Sequence, residues 1–407
     1  MRVLRNKFVV MGVTGSIAAY KAAEIASQLT QAEAKVSVIM TREAVQFISP
    51  LTFRALTGNP VAVEMFDPMS EFSVEHVSLA RAADIVVIAP ATANIIAKLA
   101  AGIADDLLCC TVLATNAPVL VAPAMEANMY TNPATQENLS KLRARNFAIV
   151  GPASGWLASG KQGIGRLADV SEIIGTICQT LGRGGDLAGQ HVVVTAGGTQ
   201  EPIDPVRYIS NRSSGKMGYA LAEAARDRGA KVTLITAPTS LPQPAGVDLI
   251  RVTTAEEMYQ AVDNIVSQAS VLVMAAAVAD YRPKTASAEK IKKAEAGLTL
   301  ELEPTPDILS SVKGSFIKVG FAAESSNLIE NALEKLRHKG LDLIVANDIT
   351  AKDSGFGADT NRVTIIDREG NRENLPLLSK RDVADRILDK VVMLLKKRSS
   401  GEGTGFI

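Results

Sequence analysis

Several stretches of this chain carry residue types suited to phosphate and carboxyl chemistry. Asn211–Gly218, NRSSGKMG, sets an amide, two hydroxyls, a lysine and two glycines just ahead of a helical pattern. A helix start offers unpaired backbone N–H groups to an anion, and glycine lets a phosphate come close to the chain. Upstream, Thr195–Gly198 ends a strand in small residues, including Gly197 and Gly198. Gly-Gly after a strand is ordinarily only a turn, but NRSSGKMG adds weight to it. Asp280 closes the apolar run VLVMAAAVAD, and the C-terminal end of a strand is where open α/β sheets bind ligands. Lys290, Lys292 and Lys293 follow in a loop with no core pattern. A charge run is usually a solvated face; this one falls beside the phosphate stretch. Lys335 and Lys339, four apart on a helix, share a face and suit a single anion.

The first half has its own constellation. Gly12–Lys21, GVTGSIAAYK, reads as a strand-to-helix turn that includes Gly15 and Ser16. It lacks the G-x-G-x-x-G of dinucleotide sites, so a mononucleotide is expected. Thr41 opens TREAVQF after the second strand, and Pro90, Thr92 and Asn94 lie in APATAN after the third. His76 is one of three histidines and precedes a site-forming strand. A lone histidine is more often structural, so position alone does not assign it.

These groups need elements to hold them. Strands are expected at Lys7–Met11, Lys35–Met40, Ile85–Ile88, Val119–Val121 and Ala148–Val150, with helices at Ile17–Gln28, Ala91–Ala101 and Pro133–Arg145. Near-continuous Val/Ile strands alternating with helices imply a parallel sheet covered on both faces. Leu181–Gln190, LGRGGDLAGQ, interrupts the alternation and gives the boundary. The pattern restarts with strands at Val192–Thr195, Lys231–Ile235, Val271–Ala275, Ile317–Gly320, Leu343–Ala346 and Arg362–Ile366, and Asp382–Lys397 closes it as an amphipathic helix. The fold class is α/β, with two Rossmann-like three-layer domains. The first, flavodoxin-like, spans 1–183; 184–190 is a linker; the second, nucleotide-binding, spans 191–398; and 399–407 is a frayed tail. Ala196–Lys216 and Arg282–Thr299 are long loops of the kind that bind ligands or form lids.

Charge is balanced, with 43 Lys+Arg and 43 Asp+Glu, which gives no electrostatic reason to expect nucleic acid. Three cysteines are too few for a disulfide framework. No targeting segment stands out, and the uncharged run Leu107–Met125 holds Asn116, Pro118 and Pro123, so it reads as helix, turn and buried strand rather than a membrane span. A cytoplasmic location is expected.

The second-half motifs TAGGTQEPIDPVRYISNRSSGKMG, AAAVADY, EKIKK, TPDIL, GFAAES and LEKLRHKGLDLIVAND together resemble phosphopantothenate–cysteine ligases over nearly all of 190–395. The resemblance implies that the carboxylate of 4′-phosphopantothenate attacks the α-phosphate of CTP, giving an acyl-cytidylate and pyrophosphate. The amine of cysteine then displaces CMP. Such chemistry calls for lysine and Mg²⁺ to neutralise the phosphoryl charge. By this resemblance Lys290 lies at the α-phosphate, Asn211 holds the activated intermediate and Arg207 is nearby. Gly197, Gly198 and Ala276 belong to the substrate site. Asp280, Thr305, Pro306, Asp307, Ile308, Phe321, Lys335 and Lys339 bind the nucleotide.

The first-half motifs TGSIAAYK, TREA, HVSLARAAD, PATANIIAKLAAGIADDLL and PAMEANMY resemble the flavin-dependent cysteine decarboxylases over about 1–180. That resemblance implies FMN held by Gly15, Ser16, Thr41, Pro90, Thr92 and Asn94, oxidation of the substrate thiol, loss of CO₂, and return of the electrons. It makes His76 the base or orienting group and places Glu126 and Met129 at the substrate. Two positions depart from the family form. Glu126 stands where an asparagine follows Pro-Ala-Met, and Ser159 stands where the flap, Ala153–Leu167, carries its proton-donating cysteine. A serine hydroxyl is a far weaker acid than a thiol. Another group or water then completes the reduction, or the oxidised enethiol is released, or the domain is an FMN-binding scaffold. The family also implies homo-oligomers, with flavin-domain trimers, up to a dodecamer, and ligase-domain dimers. A tandem NAD(P) oxidoreductase is the competing class, supported only by the repeated βαβ opening. A flavin prenyltransferase-like reading fits the first half but leaves the second unexplained.

Overall fold

The computed structural model describes residues 1–65, 75–293, 298–324, 327–348 and 357–400. It divides the chain into two compact units, Met1–Gly182 and Arg183–Ile407.

In the first unit, strands β1 (Phe8–Val13), β2 (Lys35–Met40), β3 (Val61–Ala62), β4 (Ile85–Ala91), β5 (Val119–Pro123) and β6 (Ala148–Ile149) form a parallel sheet in the order β3-β2-β1-β4-β5-β6. The hairpin β7 (Ala153–Trp156) and β8 (Gln162–Arg166) stands apart from it. The helices are α1 (Ala19–Gln31), α2 (Pro50–Thr57), α3 (Glu75–Ala82), α4 (Ala93–Ala101), α5 (Leu107–Ala114), α6 (Ala127–Thr131), α7 (Pro133–Ala144) and α8 (Val170–Gly182). Residues of β1 alternate between two cores. Val9 and Met11 pack with Ile25, Leu29 and Ile177 on one face, and Val10 packs with Ile96, Leu108 and Leu142 on the other. Burying each such aliphatic side chain contributes about 1.5–3 kcal/mol. This two-sided burial is why the strands read as unbroken apolar runs. Leu107–Ala114 and Val119–Pro123 divide the long uncharged run as expected. Among the described residues, no helix is long and apolar enough to cross a membrane.

The second unit begins β9 (His191–Ala196), with the hairpin β10 (Gln200–Pro202) and β11 (Tyr208–Ser210), then α9 (Lys216–Arg226), β12 (Lys231–Thr236), β13 (Asp248–Arg251), α10 (Ala255–Val266) and β14 (Val271–Met274). It continues with the paired β15 (Tyr281–Pro283) and β16 (Leu302–Pro304), α11 (Ile308–Ser311), β17 (Ile317–Glu324), α12 (Leu328–His338), β18 (Leu343–Asp348), β19 (Thr360–Asn361), β20 (Val363–Asp367), β21 (Arg372–Asn374), β22 (Leu378–Ser379) and α13 (Lys380–Ser399). The main sheet runs β13-β12-β9-β14-β17-β18-β20-β21, parallel until β20 and β21 add an antiparallel edge.

The long loop Ala196–Lys216 contains the paired strands β10 and β11, and the loop Arg282–Thr299 is closed at its base by pairing of Tyr281–Pro283 with Leu302–Pro304. These strands are short and lack apolar alternation, so pairing across space sets them. Two expectations need correction. The glycine-rich stretch after Gly182 is not a free linker. Leu187 is fully buried in the core of the second unit, and Asp186 pairs with Arg228 at 2.6 Å. The tail begins later than Ser399, which still belongs to α13; residues 401–407 lie outside the described residues.

Candidate active sites

Each sheet reverses its strand order beside its first strand, β1 against β4 and β9 against β14. A crevice opens at such a switch point, outside the C-terminal strand ends. Both candidate sites lie there.

In the first unit, buried Thr14 follows β1 and ties the switch point together. Its Oγ1 donates to Pro90 O at 2.7 Å and accepts from Thr92 N at 3.0 Å. Thr92 in turn caps α4 by accepting from Ile95 N. Around them is a cavity of about 430 Å³, lined in part by Gly15, Ser16, Thr92, Glu126, Met129 and Ser159. The N–H groups of Gly15 and Ile17 have no partner among the described residues, and they lie in the turn before α1. Gly15 has no room for a side chain, because an added Cβ would stand 2.4 Å from Glu43 Cβ.

The hairpin β7–β8 is bound to the PAMEANMY turn. Met125 N donates to Gly165 O at 2.9 Å, and a Cβ on Gly165, whose φ is +145°, would fall 2.1 Å from Met125 O. Ser159 lies exposed in the hairpin turn, and Trp156, not singled out from sequence, also lines the cavity. The carboxylate of Glu126 caps α6 by accepting from Asn128 N at 2.6 Å. Thr41, Pro90, Asn94 and His76 are not among the lining residues. Thr41 follows β2, with its N–H donating to Val13 O, Pro90 is buried in β4, and Asn94 is exposed in the first turn of α4. His76 is half-buried in the first turn of α3, and residues 66–74 before it lie outside the described residues. None of the three cysteines lines the cavity; burial, foremost, pushes the Cys109 thiol well above its ordinary pKa.

In the second unit the cavity measures about 570 Å³. It brings together the predicted Asn211, Ala276, Asp280, Thr305, Pro306, Asp307, Ile308, Phe321, Lys335 and Lys339. Backbone pairing sets its floor. Gly198 bridges Ala277, Thr199 Oγ1 accepts from Ala279 N at 2.9 Å, and Thr305 Oγ1 donates to Ala279 O at 2.5 Å. Asn211 Nδ2 donates to Val278 O at 2.9 Å. Glycine is required at 198, where a Cβ would meet Asn211 O at 2.6 Å, and at 218, where it would meet Thr195 O at 2.7 Å. The second of these lets α9 sit close on β9. Gly197 and Gly198 support this floor without lining the cavity. Lys335 Nζ donates to Phe321 O at 2.9 Å, and Lys339 pairs with Asp307 at 3.2 Å.

Arg207 and Lys290 do not line the cavity. Arg207 is held by Asp204 at 2.6 Å and also donates to Ile291 O. Asp204 further accepts from Val206 N, Arg207 N and Ile291 N. Burial opposes its ionisation, but these bonds outweigh burial and hold its carboxyl at about 2. Asp204 thereby ties the hairpin loop carrying Arg207 to the loop carrying exposed Lys290. Sequence reasoning missed Asn347, Asn361 and Lys380, which reach the cavity from β18, β19 and the start of α13. Ordinary residue types far along the chain gave no local signal.

Residues 2–182 match the Flavoprotein family, and residues 187–395 match the DNA/pantothenate metabolism flavoprotein C-terminal domain family. The chain is 46% identical to the coenzyme A biosynthesis bifunctional protein CoaBC of Bacillus subtilis (strain 168), over 97% of this chain and 98% of that protein. It is 45% identical to the CoaBC of Escherichia coli (strain K12), over 96% of this chain and 97% of that one. A crystal structure of the C-terminal domain of a CoaBC is similar at 41% identity, covering 52% of this chain and 98% of that one with a TM-score of 0.46. On the family matches and the full-length relatives, the chain belongs to the bifunctional coenzyme A biosynthesis proteins, which join a flavoprotein decarboxylase domain to a phosphopantothenate–cysteine ligase domain.

Proposed function

We propose that the cavity of the second unit joins 4′-phosphopantothenate to cysteine through an acyl-cytidylate, at the expense of CTP. The observation that carries this is the convergence, in one switch-point cavity, of the start of α9, the strand end at Asp280 and the lysines Lys335 and Lys339. A carboxylate must be set in line with an α-phosphate while both are anionic, so positioning and charge neutralisation supply most of the catalysis. Asn211 is the candidate to hold the activated acyl group, and Asp280, Phe321 and Thr305–Ile308 to bind the nucleotide. Lys290, on its tethered loop, is the candidate for the α-phosphate, with Arg207 beside it. Mg²⁺ enters as the counter-ion of the nucleotide, and no residue is assigned to it. The ligase domain is taken as 191–398.

The product carries a cysteinyl carboxylate, which suits it to the first unit, where residues 1–183 are read as an FMN-dependent decarboxylase. The cavity there suits the phosphate arm of a flavin mononucleotide: Gly15 and Ile17, whose N–H groups have no partner among the described residues, line it in the turn before α1, and Thr92 lines it too. Bound FMN would supply the two-electron chemistry that makes the carboxylate a leaving group. Gly15 and Ser16 bind the phosphate, with Thr41, Pro90, Thr92 and Asn94 as the remaining cofactor candidates. Glu126 and Met129 lie at the substrate, and His76 orients or deprotonates it. The hairpin carrying Ser159 shields the bound substrate from water. Self-association into flavin-domain trimers and ligase-domain dimers is part of this reading.

The test is pyrophosphate release. The full-length protein is expected to release it from CTP only when phosphopantothenate is present, and Lys290→Gln is expected to lower that rate by at least about 100-fold while leaving CO₂ release from supplied phosphopantothenoylcysteine unchanged. Equal loss of both activities would refute separate sites.

A further inference from the structure

Part of the second-unit cavity lining has a composition that none of the assigned groups explains. Lys216, at the start of α9, and Lys380, at the start of α13, both line the cavity. Their amines converge on one short segment. Lys216 Nζ donates to Gly357 O at 3.1 Å and pairs with Asp359 at 2.6 Å, while Lys380 Nζ donates to Ala358 O. Asp359 is 88% exposed, so its pairing with Lys216 is weak, whereas Lys380 is only 7% exposed.

Two lysines side by side, one buried, repel each other unless an anion joins them. Burial, and next Lys216, lower the Lys380 pKa, and Asp359 only partly opposes this. Asn361, 4% exposed, lines the same cavity, and its Oδ1 has no hydrogen-bond partner. An amide turned about its last torsion presents either an acceptor or two donors, so this end can adapt to a phosphate oxygen or a neighbouring hydroxyl. The placement of Lys380 is also built in. The next residue, Arg381, is anchored to Asp227 at 2.7 Å, and that carboxylate sits at the far end of α9. The terminal helix is thus fastened to α9, and Lys380 at its start lines the cavity.

We propose that Lys216, Lys380 and Asn361 form a seat for a phosphate group in the ligase cavity, with Lys380 as its buried cation. The proposal rests on reading this cavity as the ligase site. Two reactants carry phosphate, the nucleotide through its departing pyrophosphate and the acid through its 4′-phosphate, and the test separates them.

The experiment titrates inorganic pyrophosphate and inorganic phosphate into the full-length protein and its Lys380→Met and Lys380→Arg variants by calorimetry, alongside KM values for CTP and phosphopantothenate. Methionine matches the length of the lysine stem without its charge. Lys380→Met is expected to weaken binding of at least one anion at least 10-fold and to raise one KM by a similar factor, with Tm unchanged and most of the loss restored in Lys380→Arg. A rise confined to CTP assigns the departing phosphates, and a rise confined to the acid assigns its 4′-phosphate. Unchanged anion binding in Lys380→Met overturns the seat. So does a lowered Tm that Lys380→Arg fails to restore, because Lys380 is then structural. Wild-type protein that binds pyrophosphate but never forms the amide refutes the ligase reading and leaves the seat standing.

Discussion

Ser159 concentrates the chemical question at the residue scale. It lies exposed in the turn between β7 and β8 and lines the first-unit cavity, while none of the three cysteines, Cys109, Cys110 and Cys178, lines it. No thiol is therefore placed to protonate the reduced intermediate, and a hydroxyl is a poor acid at neutral pH. Ser159→Cys should raise the rate of reduced product by on the order of 100-fold, the low end of what a positioned general acid contributes. Mass spectrometry of the thiol and enethiol products measures it, and an unchanged product ratio would mean that water or another group already serves. Glu126 departs from the family form more quietly. Its carboxylate caps α6, so the substitution preserves the turn whatever it contributes to substrate binding.

At the scale of elements, both cavities depend on close approaches that only glycine permits. Gly165→Val would drive a side chain into Met125 O and strain a backbone held at φ +145°, at a cost of about 1–3 kcal/mol. We expect a lower Tm in the first unit and loss of decarboxylation with ligation intact; an unaltered decarboxylation rate would show that the contact between flap and turn is dispensable. Asp204 plays the corresponding role in the second unit, tying the Arg207 hairpin to the Lys290 loop. Its carboxyl titrates at about 2 when folded, against about 3.9 in an unfolded chain. The stabilisation is therefore complete above about pH 4 and is lost as pH falls toward 2. Ligation at neutral pH should not respond to this titration, whereas Asp204→Asn should slow it about tenfold there and expose the Lys290 loop to protease; normal ligation by that variant would contradict the tether. The βαβ cores were legible because two-sided burial leaves unbroken Val/Ile runs such as FVVMGV and HVVVTA. The hairpin strands QEP, YIS, YRP and LEP were not, because partners across space define them. Leu187 was passed over because a single apolar residue among glycines has no periodicity to reveal its burial.

At the scale of the whole molecule, two switch-point cavities occupy two separate compact units. Much of the second site was legible, since Asn211, Asp280, Thr305–Ile308, Phe321, Lys335 and Lys339 do meet in one cavity, while the contributions from β18, β19 and α13 were not. The family pairs a ligase with a decarboxylase, and the product of the first carries the carboxylate that the second removes. The most direct measurement of that sequence supplies the purified full-length protein with 4′-phosphopantothenate, cysteine, CTP, Mg²⁺ and FMN, and follows the products over time by mass spectrometry. The account predicts CMP and pyrophosphate in step with phosphopantothenoylcysteine, followed by its conversion to a species lighter by CO₂. Protein that takes up FMN yet leaves CTP intact in the presence of both acid and amine would contradict it.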